Sequence, residues 1–401
     1  MISGFAANNI NVLRDWAGPS QWILFLPSDM SSANSATTSS GSSAQYATLH
    51  GLRGIAAFWV VLFHAKTLGL LRDTPLEDGG ILTRLIFDYG RGGVAVFFVL
   101  SGFVIAHSVF GKSVNLRFIG RFALRRSVRL DPPYWISIIV ALSLLTYRAA
   151  HSGVRPDIQW PDVLAHFLYL QELLGANEIQ VIYWTLTYEI QFYLIYVFSV
   201  WAVNSGERNL TGRIVSVAVP AVLLLIAFVG ALQSTEWAAR GVFANYWFAF
   251  AAGVLAYFGG CRRSNIALAL SMLLACAMLS SASQTREVFN SPAALTCMSL
   301  AILGRFDLLN SLLRARPVQA LGSISYSLYL VHIPALIVGM SGGSRTFEPT
   351  LFGRLATFTV AIALALLLSS LFWYAVERPS HILAKRIGAA KKAKASYERP
   401  S

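Results

Sequence analysis

The sequence predicts an all-α integral membrane protein, a polytopic bundle of about ten transmembrane helices, on three observations. Of 401 residues, 55% are hydrophobic and only 13% charged, against roughly a quarter charged in soluble domains. Mean hydropathy is +0.57. From Leu49 onward, apolar segments near the spanning length of about 20 residues alternate with short polar ones.

Three regions follow in order: a disordered N-terminal extension (1–48), the transmembrane domain (49–380) and a basic cytoplasmic tail (381–401). In the extension, the apolar patch around Trp22 to Pro27 is too short to span. Ser31 to Ala44 is a Ser/Thr/Ala tract unable to bury a core. Met30, just ahead of that tract, is a candidate natural start. The expected spans are 49–70, 92–110, 133–147, 183–203, 214–232, 240–259, 265–283, 292–304, 318–340 and 354–376. Ten crossings leave both termini on one side. Lys and Arg then number 22 on that side and 10 on the other. The positive-inside rule predicts a bacterial inner-membrane protein with both termini cytoplasmic. The net charge of +13 is thereby topological, with a lipid-bilayer attraction for Lys391, Lys392 and Lys394. It needs no nucleic acid. Cys261, Cys276 and Cys297 have neither CxxC nor metal-ligand spacing, so no metal is expected.

The first span, LHGLRGIAAFWVVLFHA, carries Arg53 and His64. Eleven residues make about three helical turns, so both lie on one face about 16 Å apart, with His64 near mid-membrane. Ionisable groups at such depth line polar cavities or find partners on neighbouring helices. A reaction centre and a histidine satisfied by a carbonyl both fit this spacing. In the second span, Gly92, Gly93, Ser101 and Gly102 are small residues suited to close helix packing. Between spans two and three, Arg117, Arg121, Arg125, Arg126 and Arg129 recur at three- and four-residue steps, a basic stripe that Pro132 and Pro133 are expected to end. The stripe fits a topology anchor. Arginine throughout also suits bidentate phosphate recognition.

An amphipathic stretch, WPDVLAHFLYLQELLG, precedes the fourth span. That span holds Glu189 with Gln191 and the hydroxyls of Tyr183, Tyr188 and Tyr193. No Lys or Arg on the same helix reaches Glu189, so its partner must come from another span, with His64 or an arginine as candidates. Spans five to eight read as scaffold. The ninth brings His332 into an apolar run with Tyr326, Tyr329 and a potentially kinking Pro334. The tenth closes on YAVERP, where Glu377 and Arg378 read as a local ion pair or helix-end anchor.

These segments together resemble the acyltransferase-3 family of bacterial membrane O-acyltransferases, of the exopolysaccharide and O-antigen acetyltransferase type. Arg53 and His64 match the family's R-x10-H motif. FFVLSGFVI, RRSVRLDPPYW, YWTLTYEIQFYL, SYSLYLVHIP and VERP resemble further signatures in order. His50 and Ala95 depart from the pattern, which usually has an acid at the first position and often a polar residue at the second. The roles of those groups are not carried over.

The resemblance implies transfer of an acyl group, expected to be acetyl, from acyl-CoA (acetyl-CoA as co-substrate) to a hydroxyl of a carbohydrate or lipid-linked saccharide. It implies no permanently bound cofactor. His64 and Glu189 are the expected catalytic residues, with Arg53, Arg125, Arg126 and Arg129 binding the donor. Tyr188, Tyr326 and His332 are expected as support. Buried His, Glu and Arg in a ten-helix chain also fit a transporter or flippase of a glycolipid or small anion, although the sequence shows no inverted repeat.

Overall fold

The computed structural model describes residues 46–153, 157–205, 210–233, 237–285 and 288–397. The expected disordered extension and the candidate start at Met30 lie outside the described residues, save that Ala47 and Thr48 already belong to the first helix.

Among the described residues the fold is all α, without a strand. Ten helices carry the ten expected apolar segments. They are α1 (Ala47–Thr67), α2 (Gly92–Val109), α3 (Leu116–Ser152), α6 (Trp184–Ser205), α7 (Leu210–Leu232), α8 (Trp247–Gly260), α9 (Asn265–Thr285), α10 (Asn290–Arg305), α11 (Arg316–Thr346) and α12 (Leu351–Phe372). Two short helices, α4 (Trp160–Phe167) and α5 (Gln171–Leu174), join α3 to α6, and α13 (Arg378–Tyr397) carries the basic tail. Among the described residues, eight helical stretches are long and apolar enough to cross a membrane. The expectation of near-full length throughout fails at α8 and α10, which have 14 and 16 residues. Most α8 side chains are buried, packed among α2, α7, α9 and α10. Its apolar sequence serves helix neighbours more than lipid.

A second correction concerns the basic stripe. Pro132 and Pro133 do not end it; α3 runs unbroken for 37 residues through both. Adjacent prolines withhold donors only from the carbonyls one turn back, and neighbouring helices in a bundle can cover such a gap. Tyr326 of α11 braces the neighbouring carbonyl, its hydroxyl donating to Leu130 O at 3.0 Å. The stripe is thereby one rigid rod with the third span.

The direction of packing follows from which residues meet. In α1 and α11, Gly54 meets Gly322 and His64 meets His332, so these helices run parallel in fixed register. In α2 and α8, Phe98 meets Phe250 and Phe110 meets Phe258, again parallel. The pairs α1–α2, α3–α6, α9–α10 and α11–α12 are antiparallel, for example through Arg126–Tyr193 with Ser137–Tyr183, and Gly339–Ala361 with Gly343–Thr357. Strict alternation of ten helices gives these directions, and α1 begins on the face where α12 ends.

Candidate active site

Glycines set the distance between the two helices that carry the histidines. A Cβ on Gly54 would lie 2.5 Å from the Gly322 backbone nitrogen, so α1 and α11 approach as closely as backbone allows. Nearly three turns farther along the same interface, His332 Nε2 lies 3.2 Å from His64 Nδ1. His64 is only three residues from the end of α1, yet it meets α11 near its midpoint, about 24 Å from that helix's start.

Carbonyls fix the tautomers. His332 Nδ1 faces Leu328 O at 3.0 Å and Tyr329 O at 2.8 Å. Carbonyl oxygens only accept, so Nδ1 carries the hydrogen and Nε2 of the neutral ring is an acceptor. His64 Nδ1 lies between that acceptor and Val60 O at 3.0 Å, so it too carries the hydrogen. His64 Nε2 keeps its lone pair, and no described residue hydrogen-bonds it. A base is thereby oriented by another ring, with its reactive nitrogen bare.

Toward the other end of α1, Arg53 lies within charge–charge range of Arg129, Glu377 and His381. Neither Arg53 nor Arg129 has an ion pair among the described residues. Glu377 is buried, and its Oε2 accepts from Ser327 N at 3.1 Å and Ser327 Oγ at 2.6 Å. It is therefore not the local helix-end anchor that its sequence position suggests. A π-turn over Trp373–Glu377 carries it onto α11.

Glu189 takes its partner from another helix, as burial of a carboxylate requires. That partner is Arg126, whose Nη2 lies 3.7 Å from Glu189 Oε1. Ser101 Oγ donates to the same oxygen at 2.9 Å, and the Tyr193 hydroxyl donates there too. The Arg126 guanidinium sits 3.5 Å from the Tyr193 ring centre, a cation–π contact. No described histidine hydrogen-bonds Glu189, so carbonyls rather than this carboxylate set the histidine tautomers.

The remaining expected residues separate. Arg125 is exposed, whereas Arg129 of α3 lies within charge–charge range of Arg53 of α1. Tyr188 turns to the α7–α8 connection, where its hydroxyl accepts from Gly241 N at 3.1 Å. Tyr326 reaches Leu130. Tyr329, which stood out only as a neighbour of His332, links the histidines to the start of α6: its hydroxyl donates to Ile182 O at 2.9 Å and lies 2.8 Å from Thr185 Oγ1. Ser101 had only its small size to mark it, and Glu377 had only its charge.

Residues 46–374 match a family model described as an acyltransferase domain, that of acyltransferase-3. Among curated proteins, Nodulation protein 10 of Rhizobium leguminosarum bv. viciae is 28% identical over 158 residues, covering 36% of this chain and 41% of that protein. The match thus spans well under half of the relative's length. No solved structure matches the chain.

Proposed function

Because this chain belongs to the acyltransferase-3 family, and is therefore a membrane acyltransferase, we propose that it transfers an acyl group from acyl-CoA to a carbohydrate hydroxyl. Acetyl is the expected acyl group, and the acceptor is a cell-surface or exported saccharide, free or lipid-linked. The observation that carries this reading is the bare Nε2 of His64, whose ring is held through Nδ1 by His332 Nε2 at 3.2 Å. An imidazole oriented in this way suits removal of a hydroxyl proton, typically worth about 10²–10⁴-fold.

The step balances without another reactant. The acceptor oxygen attacks the thioester carbonyl as His64 Nε2 takes its proton. The tetrahedral intermediate collapses, the C–S bond breaks, and the proton passes from His64 to the leaving sulfur. The products are an ester and free CoA. While His64 is protonated, its Nδ1–H points at the His332 Nε2 lone pair and the Val60 carbonyl, which share the charge.

Arg53 and Arg129, which have no ion pair among the described residues, bind the donor's phosphates. Arg126 joins them from its seat on Tyr193, and Glu189 with Ser101 positions that guanidinium. Arg125 acts only at the approach. The arginine-rich face is cytoplasmic in this reading, with both termini on that side of the bacterial inner membrane.

The test compares surface-polysaccharide ester content, and CoA release by the purified protein in lipid nanodiscs, for wild type and His64→Ala at matched membrane levels. Esters and CoA release that require His64 support the proposal. Esters unchanged between wild type, His64→Ala and cells lacking the protein would overturn carbohydrate acylation.

A further inference from the structure

Buried side chains outside the histidine and arginine groups that have polar atoms without partners include Gln180, Thr187 and Asn290, besides Tyr134 and Gln171. Asn290 is 0% exposed, and neither its Nδ2 nor its Oδ1 is hydrogen-bonded. Gln180 is 8% exposed with both amide atoms unpaired, and Thr187 is 1% exposed with its Oγ1 unpaired. Buried polar groups are almost always satisfied, so such orphans call for a ligand or water.

Aromatic rings close to them along the chain pack on one another. Trp184 and Phe289 both pack on Phe98, at ring-centre distances of 6.3 and 5.7 Å, and both pack on Tyr246, at 5.0 and 5.2 Å. Asn290 follows Phe289 and opens α10, whose free backbone N–H groups face the same end of the bundle. Thr187 stands one turn along α6 from Trp184, and Gln180 lies in the turn just before that helix. Amide and hydroxyl groups beside a tryptophan match a sugar ring, which offers hydroxyls at its edge and C–H groups on its face.

Tyr329 connects this region to the base. Its hydroxyl holds the Ile182–Thr185 turn that separates Gln180 from Thr187, while its ring centre is 6.2 Å from that of His332. Phe97, next to Phe98 on α2, packs on the same tyrosine at 5.9 Å. The geometry points to Gln180, Thr187 and Asn290, around Trp184, as the binding site for the acceptor's saccharide ring. This inference rests on the carbohydrate acceptor proposed above and extends it to named residues. The site lies where the inward-running helices α6 and α10 begin, on the face opposite the arginines. The acceptor is thereby presented to His64 from the side away from the donor's phosphates.

The test measures KM for two acceptors and for acetyl-CoA with the full-length protein in nanodiscs. The probes are a water-soluble tetrasaccharide and a prenyl-diphosphate-linked disaccharide, with CoA release as the readout. Gln180→Ala and Asn290→Ala are each expected to raise saccharide KM by about tenfold, the effect of a lost hydrogen bond to a buried partner, while acetyl-CoA KM stays constant. A shift with both probes assigns the sugar ring itself, and a shift with the lipid-linked probe alone assigns a lipid-borne acceptor. Saccharide KM unchanged in Gln180→Ala and in Asn290→Ala would mean ordered water only, and overturns the site. Should Asn290→Ala fail to accumulate, Gln180→Ala and Asn290→Ser decide by the same criterion. Wild type that transfers to neither probe, and adds no surface esters in cells, overturns the carbohydrate acceptor and this site together. Transfer by wild type with unshifted variants overturns the site alone.

Discussion

His64 owes its bare nitrogen to carbonyls on two helices, and that dependence makes His332 a positioning residue with a measurable effect. His332→Ala removes one of the two acceptors that His64 Nδ1–H points at and leaves only the Val60 carbonyl to hold the ring. Misplacing a reacting group by about 1 Å can cost about 10²-fold, so kcat is expected to fall by that order. His332→Asn, whose side-chain oxygen can accept the same hydrogen, recovers part of it. Equal kcat in wild type and His332→Ala, measured by CoA release, would remove His332 from the mechanism. The arginines give a second contrast. Arg129→Ala is expected to raise acyl-CoA KM by about tenfold or more, the usual worth of a charge-assisted hydrogen bond, whereas exposed Arg125→Ala shifts it less than about twofold. Similar shifts in both would show that the stripe acts through total charge. At this scale Arg53, His64, Glu189 and His332 were legible because each is ionisable within an apolar run. The division between Arg125 and Arg129 was not: they are only about 40° apart on a helix wheel, so the neighbours of α3 decide which is covered. Glu377 was hidden for a related reason, since its burial depends on a π-turn and on Ser327 fifty residues earlier.

The helix pair α1–α11 is the element that turns these residues into a site. Gly54→Ala drives a methyl group against backbone that has no rotamer with which to give way, so the helices must part. A loss of about 1–3 kcal/mol in stability is expected, with kcat falling because the same interface sets the His64–His332 distance. Gly120→Ala on α3 meets nothing within 4 Å and is the control: stability should be unchanged or slightly raised. Matched thermal unfolding and CoA-release measurements check the pair, and identical behaviour of the two variants would disprove the contact.

The α4–α5 connection carries a pH response. Backbone N–H groups of Gln159 and Asn177 donate to Asp162 and hold its carboxyl below the usual range, while burial holds the His166 imidazole below its usual value. Both shifts mean that unfolding this segment takes up protons. Its protection should therefore weaken as pH falls below about 6.5, through His166, and again below about 4, through Asp162. Hydrogen exchange across 159–182, corrected for intrinsic rates, reads this directly; constant protection from pH 7 to 4 would contradict it. The amphipathic pattern of this stretch was legible in sequence. Its anchoring was not, because Trp135 Nε1 on Phe167 O and Tyr169 on Asp131 are tertiary contacts.

For the whole molecule, hydropathy found all ten helices, because each needs an apolar face whether it meets lipid or other helices. It misjudged the length of α8, which satisfies that need among neighbours. The alternating directions of the packed pairs then constrain which loops share a side. The turn after α10 lies against the start of α1, with Asn310 Oδ1 accepting from Ala47 N, so Arg314 should lie on the face of α1's first residues and Asp78 on the opposite face. With Cys261 and Cys276 replaced by serine, single cysteines at Asp78, Glu348, Lys112 and Arg314, all exposed, can be probed with a membrane-impermeant maleimide. Intact spheroplasts are expected to label Asp78→Cys and Glu348→Cys, and Lys112→Cys and Arg314→Cys should label only after permeabilisation. The reverse pattern would keep the ten crossings and place the arginine-rich face outside, removing cytoplasmic acyl-CoA from its proposed arginines. Labelling of Asp78→Cys and Arg314→Cys from the same side would break the alternation itself. The parallel register that brings His64 to His332 could not then be the membrane arrangement.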